Sequence, residues 1–137
     1  MGQHAFELQA NVIVLRVRLD GRGSHYAHLR MVLDTGASTT LIPWDVAEAL
    51  GYDPARSPRR VRFMTGSGME AAPIFTVDAV EVLGVRVSRV PVICYDLPQR
   101  SFVDGLLGLS FLRHCSLSID FRRGILDLTH GPRGSRS

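Results

Sequence analysis

The stretch Leu29-Arg30-Met31-Val32-Leu33-Asp34-Thr35-Gly36-Ala37-Ser38 decides how this chain is read. Leu29, Met31 and Leu33 alternate with His28, Arg30 and Val32, the period of two that gives a strand one buried face. An aspartate then ends the apolar strand directly. An ionised carboxylate near a core is costly unless hydrogen bonds or a partner compensate it, so Asp34 needs an explanation. Thr35 offers a hydroxyl to lock the turn, Gly36 lets the backbone approach the carboxylate, and Ala37-Ser38-Thr39-Thr40 keeps the surroundings small. Taken alone, the triplet is also what an Asp capping its own turn looks like. What surrounds it separates the two.

Upstream, Ile13, Leu15, Val17 and Leu19 alternate with Val14, Arg16, Arg18 and Asp20, and Asp20-Gly21 supplies a turn, so a hairpin is expected to feed into Asp34. Downstream, Trp44 to Leu50 reads as a short helix with Pro43 at its start and Gly51 past its end. Pro54 and Pro58 bracket a loop. Val61 to Phe75 reads as two short strands around Thr65-Gly66-Ser67-Gly68, a low-bulk tip suited to a mobile hairpin. Phe75, Val77 and Ala79, then Val85 to Cys94, continue as β-branched strand material. Gly105-Leu106-Leu107-Gly108 predicts a buried strand, a glycine break and a turn or two of helix capped by Ser110. A last hairpin is expected from Leu117, Ile119 and Phe121 through Arg122-Arg123-Gly124 to Ile125, Leu126 and Leu128. Apolar strand, glycine, helix therefore occurs twice, but only the first unit carries a carboxylate.

The chain has 137 residues, enough for one core, and a domain over residues 1–130 is expected with a flexible tail at 131–137. Its 45% hydrophobic and 21% charged residues mark an ordinary globular chain rather than a disordered one. No apolar run approaches the roughly 20 residues of a membrane-spanning helix. Arg16 and Arg18 interrupt the hydrophobic segment nearest the N-terminus, so no signal peptide is read there. A cytoplasmic location is favoured for the chain as given, with an upstream anchor left open. The net charge is +3, and all sixteen cations are arginines scattered from Arg16 to Arg136. Without interleaved aromatics or a basic helix, a nucleic-acid partner is not expected. Cys94 and Cys115 lack metal-site spacing and read as buried thiols, and His25 and His28, three apart in strand-like sequence, read as surface residues. No metal or other cofactor is expected.

The order of the parts resembles the retropepsin-like aspartic proteases: apolar strand into Asp34-Thr35-Gly36-Ala37-Ser38, a glycine-rich hairpin about thirty residues on, then Leu106-Leu107-Gly108 and a short helix. The resemblance covers roughly Val12 to Leu128. It is most similar to cellular and bacterial members, whose second motif runs like Leu106 to Leu112. It implies an all-β fold closed like a barrel, with one or two short helices. It implies a catalytic Asp34, loop support from Thr35 and Gly36, and substrate contacts from Ala37 and from a flap at Thr65, Gly66, Ser67 and Gly68. Ser38 and Leu109 stand where retroviral members carry an acid and an Arg, and Phe63 stands near the pepsin-type Tyr.

Peptide hydrolysis by carboxylates requires one group to take a proton from water while another donates one. Two carboxylates sharing a proton can do both, and the aspartic proteases are the standard instance. With one such loop per chain, Asp34 is expected to meet Asp34 of a second copy, and the terminal strands around Ile125 to Leu128, joined by residues before Val12, are expected to form the interface. Ala37 adds no hydroxyl beside the carboxylate, so a cleavage optimum above the strongly acidic range is expected. The reading is thus an aspartic endopeptidase acting as a homodimer on a peptide or protein substrate. The alternative is a dimerisation or peptide-binding module of the same fold with little or no hydrolysis.

Overall fold

A computed structural model of the chain describes residues 2–98 and 102–131. The expected flexible tail therefore lies almost wholly outside the described residues. Among the described residues, ten strands and two short α-helices follow in order, with one 3-10 turn at Pro54–Arg56: β1 (Gly2–Ala5), β2 (Val14–Asp20), β3 (Tyr26–Leu33), β4 (Thr40–Ile42), α1 (Trp44–Ala49), β5 (Arg60–Thr65), β6 (Gly68–Val82), β7 (Val85–Cys94), β8 (Gly105–Leu107), α2 (Leu109–Leu112), β9 (Cys115–Asp120) and β10 (Ile125–His130).

Six strands close on themselves. The neighbours run β2-β3-β8-β4-β7-β6, and β6 returns to β2 through Val82↔Val17 to Ala79↔Asp20. Closure leaves the ring no free edge, and its interior is filled by the alternating apolar positions of the sequence. Leu15, Val17, Leu19, Met31, Val77 and Leu107 are buried there with Phe111 from α2. Each fully buried aliphatic or aromatic side chain contributes roughly 1.5–3 kcal/mol of transfer free energy.

β6 is longer than the two short segments expected from the sequence. Its first part, Gly68 to Pro73, pairs with β5, and from Ile74 it pairs with β7. The change of partner falls beside Pro73, which has no N–H to give to a ladder. The β5–β6 hairpin thus projects from the barrel with its own small apolar cluster beneath it, where Val61, Phe63 and Ala72 meet Leu41, Ile93 and Leu106.

The loop after α1 is anchored through Tyr52. Its hydroxyl accepts the Asp78 N–H at 2.8 Å and faces Asp20 O and Asp78 Oδ1, each at 3.1 Å. Burial pushes the phenol up to about 12, so it remains a neutral donor. Cys94 is fully buried and Cys115 partly so, and burial pushes their thiols up to about 12 and about 11. His25 is not in a strand: it closes the β2–β3 loop, its N–H donating to Arg22 O at 3.1 Å.

The remaining strands form a separate sheet in the order β1-β10-β9. β1 went unread in the sequence because four residues mixing glycine, polar and small side chains carry no apolar period. It pairs with β10, so the two terminal segments expected at the interface lie side by side within one chain. β10 is the central strand, paired on both edges, and Leu126 and Leu128 are buried within the chain. The edges of this sheet that remain open belong to β1 and β9.

Candidate active site

Asp34 leaves the end of β3 where that strand runs parallel to β8, in the register Met31↔Gly105, Val32↔Leu106 and Leu33↔Leu107. One residue further, the Asp34 N–H donates to Leu107 O at 3.0 Å. The turn then folds back under the side chain: Gly36 N–H donates to Asp34 Oδ1 at 3.0 Å, and Ala37 N–H donates to Asp34 O at 3.2 Å. Asp34 is half-buried, with one carboxylate oxygen held by the backbone. A Cβ at Gly36 would lie 3.3 Å from Asp34 Oδ1, so the glycine permits the close approach.

The register gives the repeat a physical meaning. The residue matching Asp34 in the second unit is Gly108, and the two loops cross there. A Cβ on Gly108 would stand 2.6 Å from Ala37 O and 2.9 Å from Thr39 O, and one on Gly105 would stand 2.1 Å from Leu41 O. Both glycines of Gly105-Leu106-Leu107-Gly108 are therefore places where backbone passes backbone.

A buried polar knot fixes that crossing. Gly108 N–H donates to Thr40 Oγ1 at 3.1 Å, and Thr40 N–H donates to Ser110 Oγ at 2.9 Å. Ser110 Oγ lies 2.8 Å from Pro91 O and 3.1 Å from Thr40 Oγ1, so its single proton has two acceptors within reach. Leu109 N–H closes the knot onto Ala37 O at 2.8 Å. Thr40 and Ser110 were not singled out as supports of the site. Ser110 was expected to cap α2, but the cap is Gly108, with no side-chain cap bond, and the serine hydroxyl points into the knot. A signal was present in the sequence: each is a hydroxyl residue set against apolar neighbours, Thr40 before Leu41-Ile42 and Ser110 between Leu109 and Phe111.

Thr35 and Gly36 are exposed at the tip of the loop. Among the described residues the Thr35 hydroxyl makes no hydrogen bond. It borders an open groove of about 260 Å³ lined by Phe6, Val12, Ile13, Leu33, Ile119 and Phe121 among others. Phe121 and Phe6 meet edge to face at 5.9 Å, and Phe121 is 68% exposed.

Thr65, Gly66, Ser67 and Gly68 lie together at the tip of the β5–β6 hairpin, away from the Asp34 loop in the chain and with no hydrogen bond to it among the described residues. Thr65 pairs with Gly68, and Thr65 Oγ1 donates to Gly68 O at 3.0 Å while accepting Ser67 N–H at 3.2 Å. Gly68 has φ +119°, a conformation that L side chains rarely adopt.

The aspartyl protease family matches residues 15–111, which takes in the Asp34 loop, the β5–β6 hairpin and the Gly105 to Phe111 crossing. The chain belongs to that family. Among solved structures, a retropepsin-like aspartic protease from Rickettsia conorii superposes with a TM-score of 0.66 at 19% identity, over 94% of this chain and 99% of that one. At such identity the likeness concerns the fold, and the fold of this aspartyl protease family member is retropepsin-like. Comparison with curated proteins gives no match.

Proposed function

We propose that the protein is an aspartic endopeptidase acting as a homodimer, in which two Asp34 carboxyls activate a water for peptide-bond hydrolysis. The observation that carries this reading is the β3–β8 register, which puts Gly108 opposite Asp34 and so leaves each chain one carboxylate for a reaction that needs two. A twofold axis through the exposed Thr35 and Gly36 tip supplies the second, because a symmetric interface brings the same residue of both copies together. The exposed Phe121, the half-buried Phe6 and the apolar groove beside Thr35 give that axis a surface to bury.

In the dimer one Asp34 is ionised and the other protonated, since neighbouring carboxylates resist double ionisation. The ionised one takes a proton from water as its oxygen attacks the carbonyl carbon, and the protonated one gives its proton toward the carbonyl oxygen. Collapse of the tetrahedral intermediate then passes a proton to the leaving nitrogen. The β5–β6 hairpin acts as the flap, with Thr65 to Gly68 closing over the peptide, and Ala37 borders the bound chain beside Asp34.

Asp34→Asn tests the reading, because the amide nearly matches the carboxylate in shape but cannot exchange the proton. The purified variant is expected to dimerise in sedimentation experiments, to keep the wild-type circular dichroism spectrum, and to lose peptide cleavage by at least about a thousandfold. Cleavage at the wild-type rate by the variant, or by a monomeric wild type, would overturn it. A wild type that binds peptides without cutting them would favour a binding module.

A further inference from the structure

The β5–β6 hairpin has two chemically different faces. Residues paired directly across antiparallel strands share a face, so Arg62 with Ala71 and Met64 with Met69 form the outer one, all four of them exposed. The inner face carries Val61 with Ala72, then Phe63 with Glu70, then Thr65 with Gly68. Val61 and Ala72 pack at the base against Leu41, Ile93 and Leu106, the segments that flank the Asp34 loop. Glu70 is one pair further out, half-buried, on the side of the hairpin that overhangs those segments.

A carboxylate is an unexpected neighbour for Val61, Phe63 and Ala72. Arg60 and Arg62, the cations of β5, are exposed on the other face, and among the described residues Glu70 makes no ion pair or hydrogen bond. Beside it, Phe63 and Tyr95 meet edge to face at 5.0 Å. An acid at the end of an aromatic and aliphatic wall suits a ligand group with a long apolar stem and a cationic head.

We propose that Glu70 is a specificity residue, selecting substrates with an arginine or lysine side chain beside the scissile bond, the stem lying along Phe63 and Tyr95 and the head pairing with the Glu70 carboxylate. This rests on the protease reading for the position of the substrate under the hairpin, but its test has an arm that does not require cleavage.

Octapeptides of one apolar sequence, carrying arginine, lysine, norleucine or glutamate at each central position in turn, serve as probes. Wild type is expected to cleave the best basic peptide at least about tenfold better in kcat/KM than its norleucine counterpart, chiefly through KM. Glu70→Gln should bring that ratio close to one, and Glu70→Lys should turn the preference toward glutamate at the same position. In the second arm, binding of the same peptides to Asp34→Asn and to Asp34→Asn/Glu70→Gln is measured by fluorescence anisotropy, with the same loss of preference expected. Absence of all cleavage together with a Glu70-dependent basic preference in binding would sink the protease reading and leave the specificity assignment standing. Efficient cleavage or binding with no basic preference, a preference that Glu70→Gln does not move, or no peptide bound at all would overturn the assignment.

Discussion

Gly108 sits where two main chains cross, and the absence of its side chain is a steric requirement rather than a turn preference. Its φ of −108° is open to any residue, so a substitution there is resisted by contact and not by backbone conformation. Gly108→Ala places a methyl group 2.6 Å from one backbone carbonyl oxygen and 2.9 Å from another, neither of which can rotate away. The variant is expected to lose about 2–4 kcal/mol in urea unfolding and to lose cleavage with it, because the Asp34 loop must shift to make room. Unchanged stability would mean that the loops separate freely. The knot of Thr40, Ser110 and Pro91 argues that they do not, since pulling the loops apart would leave buried donors and acceptors unpaired.

Two elements respond to substitution in distinguishable ways. In the β5–β6 hairpin, Gly66 has open space where a Cβ would be and does not share the positive φ of Gly68, so Gly66→Pro is the substitution suited to stiffening the tip. If the hairpin is a flap, kcat/KM should fall roughly tenfold while Tm moves by no more than about 2 °C. A fall in Tm that tracks the loss of activity would make the hairpin ordinary framework. Gly68→Pro is not an equivalent test, because proline cannot reach φ +119° and would unmake the turn. The end of β2 gives a pH prediction. Burial pushes the Asp20 carboxyl up, but hydrogen bonds from Arg18 and Arg86 outweigh it and hold the group below the usual carboxylate range. A depressed folded-state pKa stabilises the fold above the unfolded value, near pH 4, and that contribution is lost as pH falls through the folded one. The stability difference between wild type and Asp20→Asn, measured by urea unfolding, should therefore be largest near neutrality and shrink below about pH 4.

For the whole molecule the question is what covers the face around Thr35. Phe121 is 68% exposed and meets Phe6 edge to face, so Phe121→Asp should cost the isolated chain little, about 1 kcal/mol or less. In a twofold dimer the same change would bring one charge from each copy into an apolar contact. The dissociation constant from sedimentation equilibrium is expected to rise by at least about tenfold, and specific activity at low protein concentration to fall with it. Equal dimerisation by the two proteins would move the axis elsewhere. The edges of β1 and β9 are then the next surfaces to test, since β10 has neither edge free.

Local periodicity determined much of this protein by itself. The alternation from Ile13 to Leu33 set the first barrel hairpin, Pro43 and Gly51 bracketed α1, and Asp34 was marked by its place at the end of an apolar strand. Such features depend on near neighbours in the chain, and side-chain period and turn chemistry write them directly into the residue order. Tertiary structure decided what depends on distant segments meeting. That Gly105 and Gly108 are contact points, that Ser110 serves Thr40 instead of its own helix, and that four residues at the N-terminus pair with β10 all require partners 60 or more residues away. The face on which Glu70 lies was likewise undecided until the hairpin register was known, because a slip of one residue would have turned its carboxylate outward.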